Sequence, residues 1–189
     1  MNNFFTSLRL TISSLVICSV AYPAIVLGFA MIAAPDSRQG SLIRDEAGEI
    51  IGSRLIAQSF TQPGYFWPRP SAVDYNASAT GGSNLSPTNP ALAQRAEADI
   101  VKFKLQPGQK VPADLVAASG SGMDPHISLA SAKLQAARVA TTRGLPPLTV
   151  ETLIQENLEG QALVVLGGEP VVNVLTLNIA LDQTVREKE

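Results

Sequence analysis

The feature that most constrains the fold of this sequence is a long run of uncharged residues near the N-terminus. Residues 10–34, about twenty-five positions, contain no charged side chain. At a rise of about 1.5 Å per residue, a helix of this length exceeds the roughly 30 Å hydrocarbon core of a bilayer. Pro23 is compatible with such a helix, because neighbouring groups in membrane helices take over the hydrogen bonding that a proline disrupts. The sequence therefore predicts a transmembrane helix over residues 10–34.

A cleaved secretory signal is the alternative interpretation of this run. Signal sequences have an apolar stretch of about 7 to 15 residues, followed by small residues at the cleavage site. The run here is longer, Ile32 occupies a position where a small residue is expected, and Pro35 would follow the cut. We therefore expect the helix to be retained as a membrane anchor.

The residues flanking the run bear on its orientation. The tail of residues 1–9 carries Arg9 and no acidic residue, whereas Arg38 and Arg44 follow the run. Charge counting alone leaves the orientation open, but a short basic tail favours retention inside, and a long following domain crosses largely regardless of its charge. We expect residues 1–9 in the cytoplasm and residues 35–189 outside it, as one domain of ordinary size.

Composition excludes several classes of function. The formal net charge is -2 and the basic residues are scattered, so no basic stripe for a nucleic acid is present. The one cysteine, Cys18, lies in the apolar run and leaves no partner for a disulfide. The one histidine, His126, cannot build a multi-histidine zinc site. We expect neither nucleic-acid binding nor a metal held by this chain.

The remaining residues predict helices and short strands in irregular alternation. Residues 58–90 have no periodicity but contain several aromatic residues, so we expect an irregular segment packed by its own side chains. Residues 173–185 fit either a strand or a helix capped by Asn173, and we favour the helix. The mixture indicates an α+β domain after one transmembrane helix. The other predicted elements are a hairpin of residues 41–44 and 49–53, helices 90–104, 128–143 and 149–158 capped by Asn89, Ser128 and Thr149, and strands 115–118, 161–166 and 170–172.

One short segment contains the residue types of a hydrolase triad. Ser119, Ser121, Asp124 and His126 lie within eight positions of one another. Triad members normally meet from separate parts of a fold, and no G-x-S-x-G elbow is present. A glycine-rich turn is favoured, and a membrane-tethered serine hydrolase using Ser121 or Ser119 with His126 is the alternative.

A second glycine-rich segment, residues 80–84, resembles an anion-binding turn. Successive backbone N–H groups of such turns can hold phosphate, but the P-loop lysine and spacing are absent. A structural turn is favoured, and a nucleotide-binding module that uses Gly81-Gly82 or Gly120-Ser121-Gly122 is a further alternative. Arg69, between two prolines, can stack on Trp67, bind a partner's carboxylate or pair with an acid of its own domain. The candidates for partner contact or structural turns are Arg69, Asn84, Ser121, Asp124 and His126.

Several longer motifs follow one another along almost the whole chain. On these motifs the chain resembles the KdpC family, the small subunit of the bacterial high-affinity potassium-transporting P-type ATPase. That family typically has Gly, Thr and Leu at the positions where this sequence has Ala57, Ala117 and Met123. The motifs are Tyr22-Pro23, Gly52-Ser53 with Ile56 and Gln58, Phe66-Trp67-Pro68-Arg69-Pro70-Ser71-Ala72, Tyr75-Asn76, Gly81-Gly82-Ser83-Asn84-Leu85, Pro87-Thr88-Asn89-Pro90, Ala118-Ser119-Gly120-Ser121-Gly122, Asp124-Pro125-His126-Ile127-Ser128 and Val172-Asn173-Val174-Leu175.

The resemblance implies an accessory subunit that carries out no catalysis itself. Its implied partners in the cell inner membrane are a channel-like potassium-binding subunit, an ATP-hydrolysing P-type subunit and a small membrane peptide. K+ and ATP would be handled by the complex, and the sequence has neither a D-K-T-G-T nor a T-x-G-Y-G motif. The family is described as a catalytic chaperone that raises the ATP affinity of the hydrolysing subunit. A domain outside the cytoplasm cannot touch cytoplasmic ATP, so we expect any such effect to pass through the partner's membrane helices.

Overall fold

The computed structural model describes residues 2–105, 107–160 and 168–187. The chain divides into two compact units, residues 1–51 and 52–189. The first unit contains the N-terminal helix and most of a hairpin, and the second contains a small sheet with its helices.

The N-terminal helix runs without a break through three segments. Helix α1 (Asn2–Val16) continues into a π-helical turn (Ile17–Ala21) and then into α2 (Tyr22–Ala33). The apolar span Asn3–Ala33 is 31 residues long, and its most apolar window is 0% buried inside the structure. The wide turn ends two residues before Pro23, where it relieves the crowding between the proline ring and the preceding carbonyl groups. The prediction of an N-terminal helix long enough to span a membrane is confirmed.

A hairpin follows this helix, as predicted. Strands β1 (Leu42–Arg44) and β2 (Ile50–Ser53) form a two-stranded sheet. In the loop, Asp45 Oδ1 accepts hydrogen bonds from the backbone N–H groups of Ala47 and Glu49 at 3.0 and 2.9 Å. Gly48 has φ +85°, a value that a residue with a side chain adopts at a cost. The polar loop therefore fixes the turn through its own side chain.

The second unit is built on a three-stranded antiparallel sheet. The strands are β3 (His126–Ser128), β4 (Leu158–Glu159) and β5 (Val171–Asn173), in the order β3-β5-β4. Helix α4 (Leu129–Arg143) packs on α5 (Pro147–Glu156) and on strands β3 and β5, and α6 (Val174–Arg186) packs on α5 and on β5. Helix α3 (Pro90–Lys102) precedes them in the chain. Fully buried members of the core include Ile127, Val139, Val150, Ile154, Val172, Leu177 and Leu181.

Three predicted helix caps are present. Asn89 accepts from the Ala91 N–H, Ser128 from the Ser131 N–H, and Asn173 from the N–H groups of Leu175 and Thr176. The ambiguous last segment is therefore helix α6, as favoured, because its Asn173 side chain satisfies the first-turn donors of a helix. The α+β class predicted from the sequence is confirmed.

Several predicted elements differ from the structure. Helix α5 begins at Pro147 and not after Thr149, because a proline fits the first helical turn, and it ends at Glu156, so that Leu158 belongs to β4. The strand predicted over 115–118 is wrong, since Ala113–Leu115 forms a 3-10 turn that buries Leu115. Strand β5 is shifted by one residue from the predicted 170–172. The strand predicted over 161–166 lies outside the described residues.

The long irregular segment before α3 is held by two side-chain amides, which we call the amide clamp. Asn178 of α6 accepts from the Phe66 N–H through Oδ1 at 2.8 Å and donates from Nδ2 to the Phe66 carbonyl at 3.0 Å. Gln135 of α4 does the same for Trp67, at 2.8 and 3.1 Å. Phe66, Gln135 and Asn178 are all at most 1% exposed. Buried backbone groups that lack strand partners are thus satisfied. The segment is irregular and packed, as predicted, but side chains of two helices hold it and not only its own.

Replacing Asn178 by alanine should destabilise the second unit by about 2–6 kcal/mol, because it leaves the buried N–H and C=O of Phe66 unpaired at roughly 1–3 kcal/mol each. Urea unfolding of the full chain in detergent measures this change. Asn76→Ala is the matched control, because among the described residues the exposed Asn76 side chain bonds only to Ser78. Its effect should stay within about 0.5 kcal/mol. Equal unfolding midpoints for the two variants would show that the clamp does not stabilise the fold.

Candidate functional site

The site that best combines charge with fixed geometry is a row of five side chains, which we call the charge row. Its members, in spatial order, are Arg69, Asp124, His126, Glu159 and Arg54. They come from the irregular segment, the loop before β3, strand β3, strand β4 and the residue after β2. The charge row therefore ties together segments that are far apart in the sequence.

Ion pairs and hydrogen bonds connect each member of the charge row to the next one in space. Arg69 Nη1 donates to Asp124 Oδ2 at 2.9 Å, and Arg54 Nη2 lies 3.6 Å from Glu159 Oε1. Between them, His126 places Nδ1 3.3 Å from Asp124 Oδ1 and Nε2 3.2 Å from Glu159 Oε2. The backbone N–H of His126 also donates to Asp124 Oδ1, at 3.0 Å, which fixes the carboxylate beside the ring. Basic and acidic groups thus alternate along the row.

The position of His126 between two carboxylates favours its protonated form. A neutral imidazole has one N–H, so one ring nitrogen would face a carboxylate oxygen without a proton, whereas an imidazolium donates to both. Hydrogen bonding to Asp124, and to Glu159 after it, raises the pKa of His126 above its ordinary value in spite of partial burial. Hydrogen bonding to His126 likewise lowers the pKa of Asp124. Both shifts follow from the hydrogen bond that stabilises the charged forms of the two side chains.

The two serines of the same segment do not approach the imidazole. Both ring nitrogens of His126 face carboxylates. Ser119 is buried and its Oγ lies 3.5 Å from the Asp124 N–H, while Ser121 Oγ accepts from the Met123 N–H at 3.1 Å. Neither serine is placed for activation by His126 in this arrangement.

The two glycine-rich segments pack against each other, backbone to backbone. Gly81 N–H donates to the Ser121 carbonyl at 2.9 Å, so it is not free to bind an anion. A Cβ on Gly82 would lie 3.2 Å from the Gly120 carbonyl oxygen, and one on Gly122, at φ +72°, 2.8 Å from the Gly81 carbonyl oxygen. Asn84 lies exposed at the end of the first turn with φ 48°. The close approach of the two segments explains why glycine occupies positions 82 and 122.

Of the candidates taken from the sequence, three come together and two lie in these turns. Arg69, Asp124 and His126 are members of the charge row. Of the three interactions considered for Arg69, the structure shows the pairing with an acid of its own unit, Asp124. Trp67 is stacked instead by Arg138, whose guanidinium carbon lies 3.8 Å from the ring centroid. Ser121 and Asn84 belong to the paired turns. Their contact with a partner stays a prediction.

Sequence reasoning missed Glu159 and Arg54. Both lie at the ends of very short elements, and neither is part of a recognisable motif. No signal in the sequence alone places them beside His126, since the contact between His126 and Glu159 spans 33 positions. The charge row also borders a cavity of about 690 Å³ whose lining includes Asp114 and Glu169. Among the described residues, no group of three or more His, Cys, Asp or Glu side chains is arranged to hold a metal ion.

The fold and the N-terminal helix together define a class: a small α+β protein with one apolar helix long enough to span a membrane. Comparison with known proteins gives the family. The family model described as "KdpC: K+-transporting ATPase, c chain" matches residues 4–183, and the chain belongs to this family.

Curated relatives agree over nearly the full length. Proteins named "Potassium-transporting ATPase KdpC subunit" from Parvibaculum lavamentivorans and Gloeobacter violaceus are both 48% identical, over 97% and 94% of this chain and the same shares of their own lengths. One of the same name from Bacillus anthracis is 43% identical over 95% of this chain and 94% of its own. The resemblance noted from the sequence motifs is confirmed.

The charge row predicts a stability that depends on pH. Because the folded pKa of His126 is raised, its contribution is fully present below the unfolded value near 6.5 and is lost as the pH rises through the folded pKa. His126→Gln removes this contribution and leaves Asp124 and Glu159 facing each other without a cation between them. Urea midpoints of the full chain in detergent should therefore differ most between wild type and variant below pH 6.5, and the difference should shrink towards pH 9. A difference that does not change with pH would contradict this assignment.

Proposed function

We propose that this chain is an accessory subunit of a potassium-transporting ATPase and itself carries out no catalysis. Family membership across residues 4–183 is the observation that carries this proposal. The relatives are named as subunits of such an ATPase, so partner chains follow from the name. His126 faces two carboxylates and not a serine, which gives the alternative of a serine hydrolase no support.

The N-terminal helix would insert the protein in the cell inner membrane with residues 1–9 in the cytoplasm. Residues 35–189 would then lie on the periplasmic side, above the membrane. The exposed apolar surface of Asn3–Ala33 supports insertion, since none of its most apolar window is buried within the chain. Arg9 lies in the first part of this helix, where a basic side chain can reach the headgroups.

With this topology, the second unit would dock on the outer face of the channel-like subunit. It would stabilise the assembly or its potassium entrance. The charge row and the paired glycine turns support a rigid docking surface, because both fix loops through contacts distant in sequence. An effect on ATP affinity would then be a coupling free energy transmitted through the partner's membrane helices, typically about 1–3 kcal/mol.

Determining the membrane topology by cysteine labelling tests the proposal most directly. Cys18→Ser removes the one cysteine of the sequence, after which Ser78→Cys places a thiol on an exposed loop of the second unit. A membrane-impermeant maleimide should label this variant in intact spheroplasts. Asn3→Cys is the matched control in the tail, and it should be labelled only after the membrane is permeabilised. The opposite pattern would place the second unit in the cytoplasm and contradict the proposal.

A further inference from the structure

A second cavity in the unit of residues 52–189 is separate from the charge row. It has a volume of about 500 Å³ and lies between helix α3 and the irregular segment. Four aromatic rings line it, those of Phe60, Trp67, Tyr75 and Phe103. The rings of Trp67 and Phe103 contact each other, with centroids 5.6 Å apart. The cavity thus offers a mainly aromatic wall to whatever enters it.

Three charged side chains of α3 line the same cavity, and their pairing is not the one that the sequence suggests. Arg95 and Asp99 are spaced as an i,i+4 pair on the outer side of the helix. In the structure Asp99 is buried, with a side chain 10% exposed, and its Oδ1 lies 2.5 Å from Lys102 Nζ. Asp99 therefore pairs with Lys102, one turn further along the helix, through Oδ1. Its other oxygen, Oδ2, is buried without a hydrogen-bond donor among the described residues.

Arg95 is left without an acid. Within residues 2–105, 107–160 and 168–187, its guanidinium has no hydrogen bond or ion pair, and its Nε is buried without an acceptor. Arg95 as a whole is partly buried, and its enclosed Nε has given up hydration without gaining an acceptor among the described residues. Arg95 and Lys102 bring two positive charges to the cavity against the one negative charge of Asp99. The three side chains together carry one net positive charge, which an anion beside Arg95 would balance.

We propose that this cavity receives an aspartate or glutamate side chain from another subunit of the ATPase, with Arg95 as its ion-pair partner. The planar fork of a guanidinium matches a carboxylate with two parallel hydrogen bonds. The aromatic rings suit the apolar neighbours of that acid in a protein segment, whereas a free inorganic anion would leave the rings uncovered. Arginine surrounded by aromatic side chains is also the composition of interface hot spots. This inference rests on the proposed function, since it requires partner subunits.

Charge reversal at Arg95 tests the proposal in the intact complex. The full-length chain carrying Arg95→Glu is expressed with all subunits of the pump, extracted in mild detergent and purified. Recovery of the other subunits should fall at least tenfold against wild type, while Arg95→Lys retains part of it. Lys133→Glu on α4, an exposed position away from this cavity, is the matched control and should leave recovery unchanged. Thermal unfolding of the isolated Arg95→Glu chain, with a midpoint like that of wild type, shows that it still folds.

The outcomes separate the two proposals. Failure of wild type to bring the other subunits along would contradict the proposed function, whatever Arg95 does. Normal recovery with Arg95→Glu would overturn the cavity's role while leaving the subunit assignment intact.

A photo-reactive phenylalanine at Thr61, an exposed residue that lines the cavity, identifies the occupant. The cross-linked peptide should come from another subunit and contain an aspartate or glutamate whose replacement by lysine restores recovery with Arg95→Glu. A cross-link to a second copy of this chain or to lipid, or a charge swap that restores nothing, would contradict the proposal.

Discussion

The structure of the second unit depends on how buried backbone groups are satisfied in a segment without regular secondary structure. Residues 54–89 contain neither helix nor strand, yet Phe66 is fully buried. Strands satisfy such groups through their neighbours, but here Asn178 and Gln135 offer both an acceptor and a donor to one residue each. A side-chain amide thus replaces a neighbouring strand at two consecutive positions. Without the amide clamp, the segment would either lose its buried position or leave polar groups unpaired.

Both functional features proposed for the second unit lie close to this clamp. Arg69, at one end of the charge row, follows Trp67 by two residues, and Trp67 also forms a wall of the cavity beside Arg95. Arg138 stacks on Trp67 and donates to the Tyr65 carbonyl at 3.0 Å, so the same helix that supplies Gln135 also fixes the ring. Helices α4 and α6 therefore hold the part of each site that lies in the irregular segment, namely Arg69 in the charge row and Trp67 in the cavity. Such loops on a rigid support are typical of binding surfaces.

Much of the fold could be predicted from local signals, and the sites could be predicted only in part. The apolar run, the cap residues Asn89, Ser128 and Asn173 and the loop ending at Gly48 act through neighbours a few positions away, and their elements are where we expected them. Strands β3 and β4 have three and two residues, too few for a period, so the sheet could not be predicted. Gln135 and Asn178 are polar residues on otherwise apolar helix faces, a signal that was present but ambiguous. The choice of Asp99 between Arg95 and Lys102 depends on burial, which the sequence does not give.

Hydrogen exchange of individual backbone amides tests the role of the amide clamp most directly. In the full chain in detergent, the N–H groups of Phe66 and Trp67 should exchange as slowly as those in the middle of α6, such as Leu177, because opening them requires unfolding of the unit. Asn178→Ala should speed exchange at Phe66 in particular. Exchange of both amides at the rate of the exposed loop around Ser78 would contradict the account, since it would mean that the segment opens independently of the helices that are supposed to hold it.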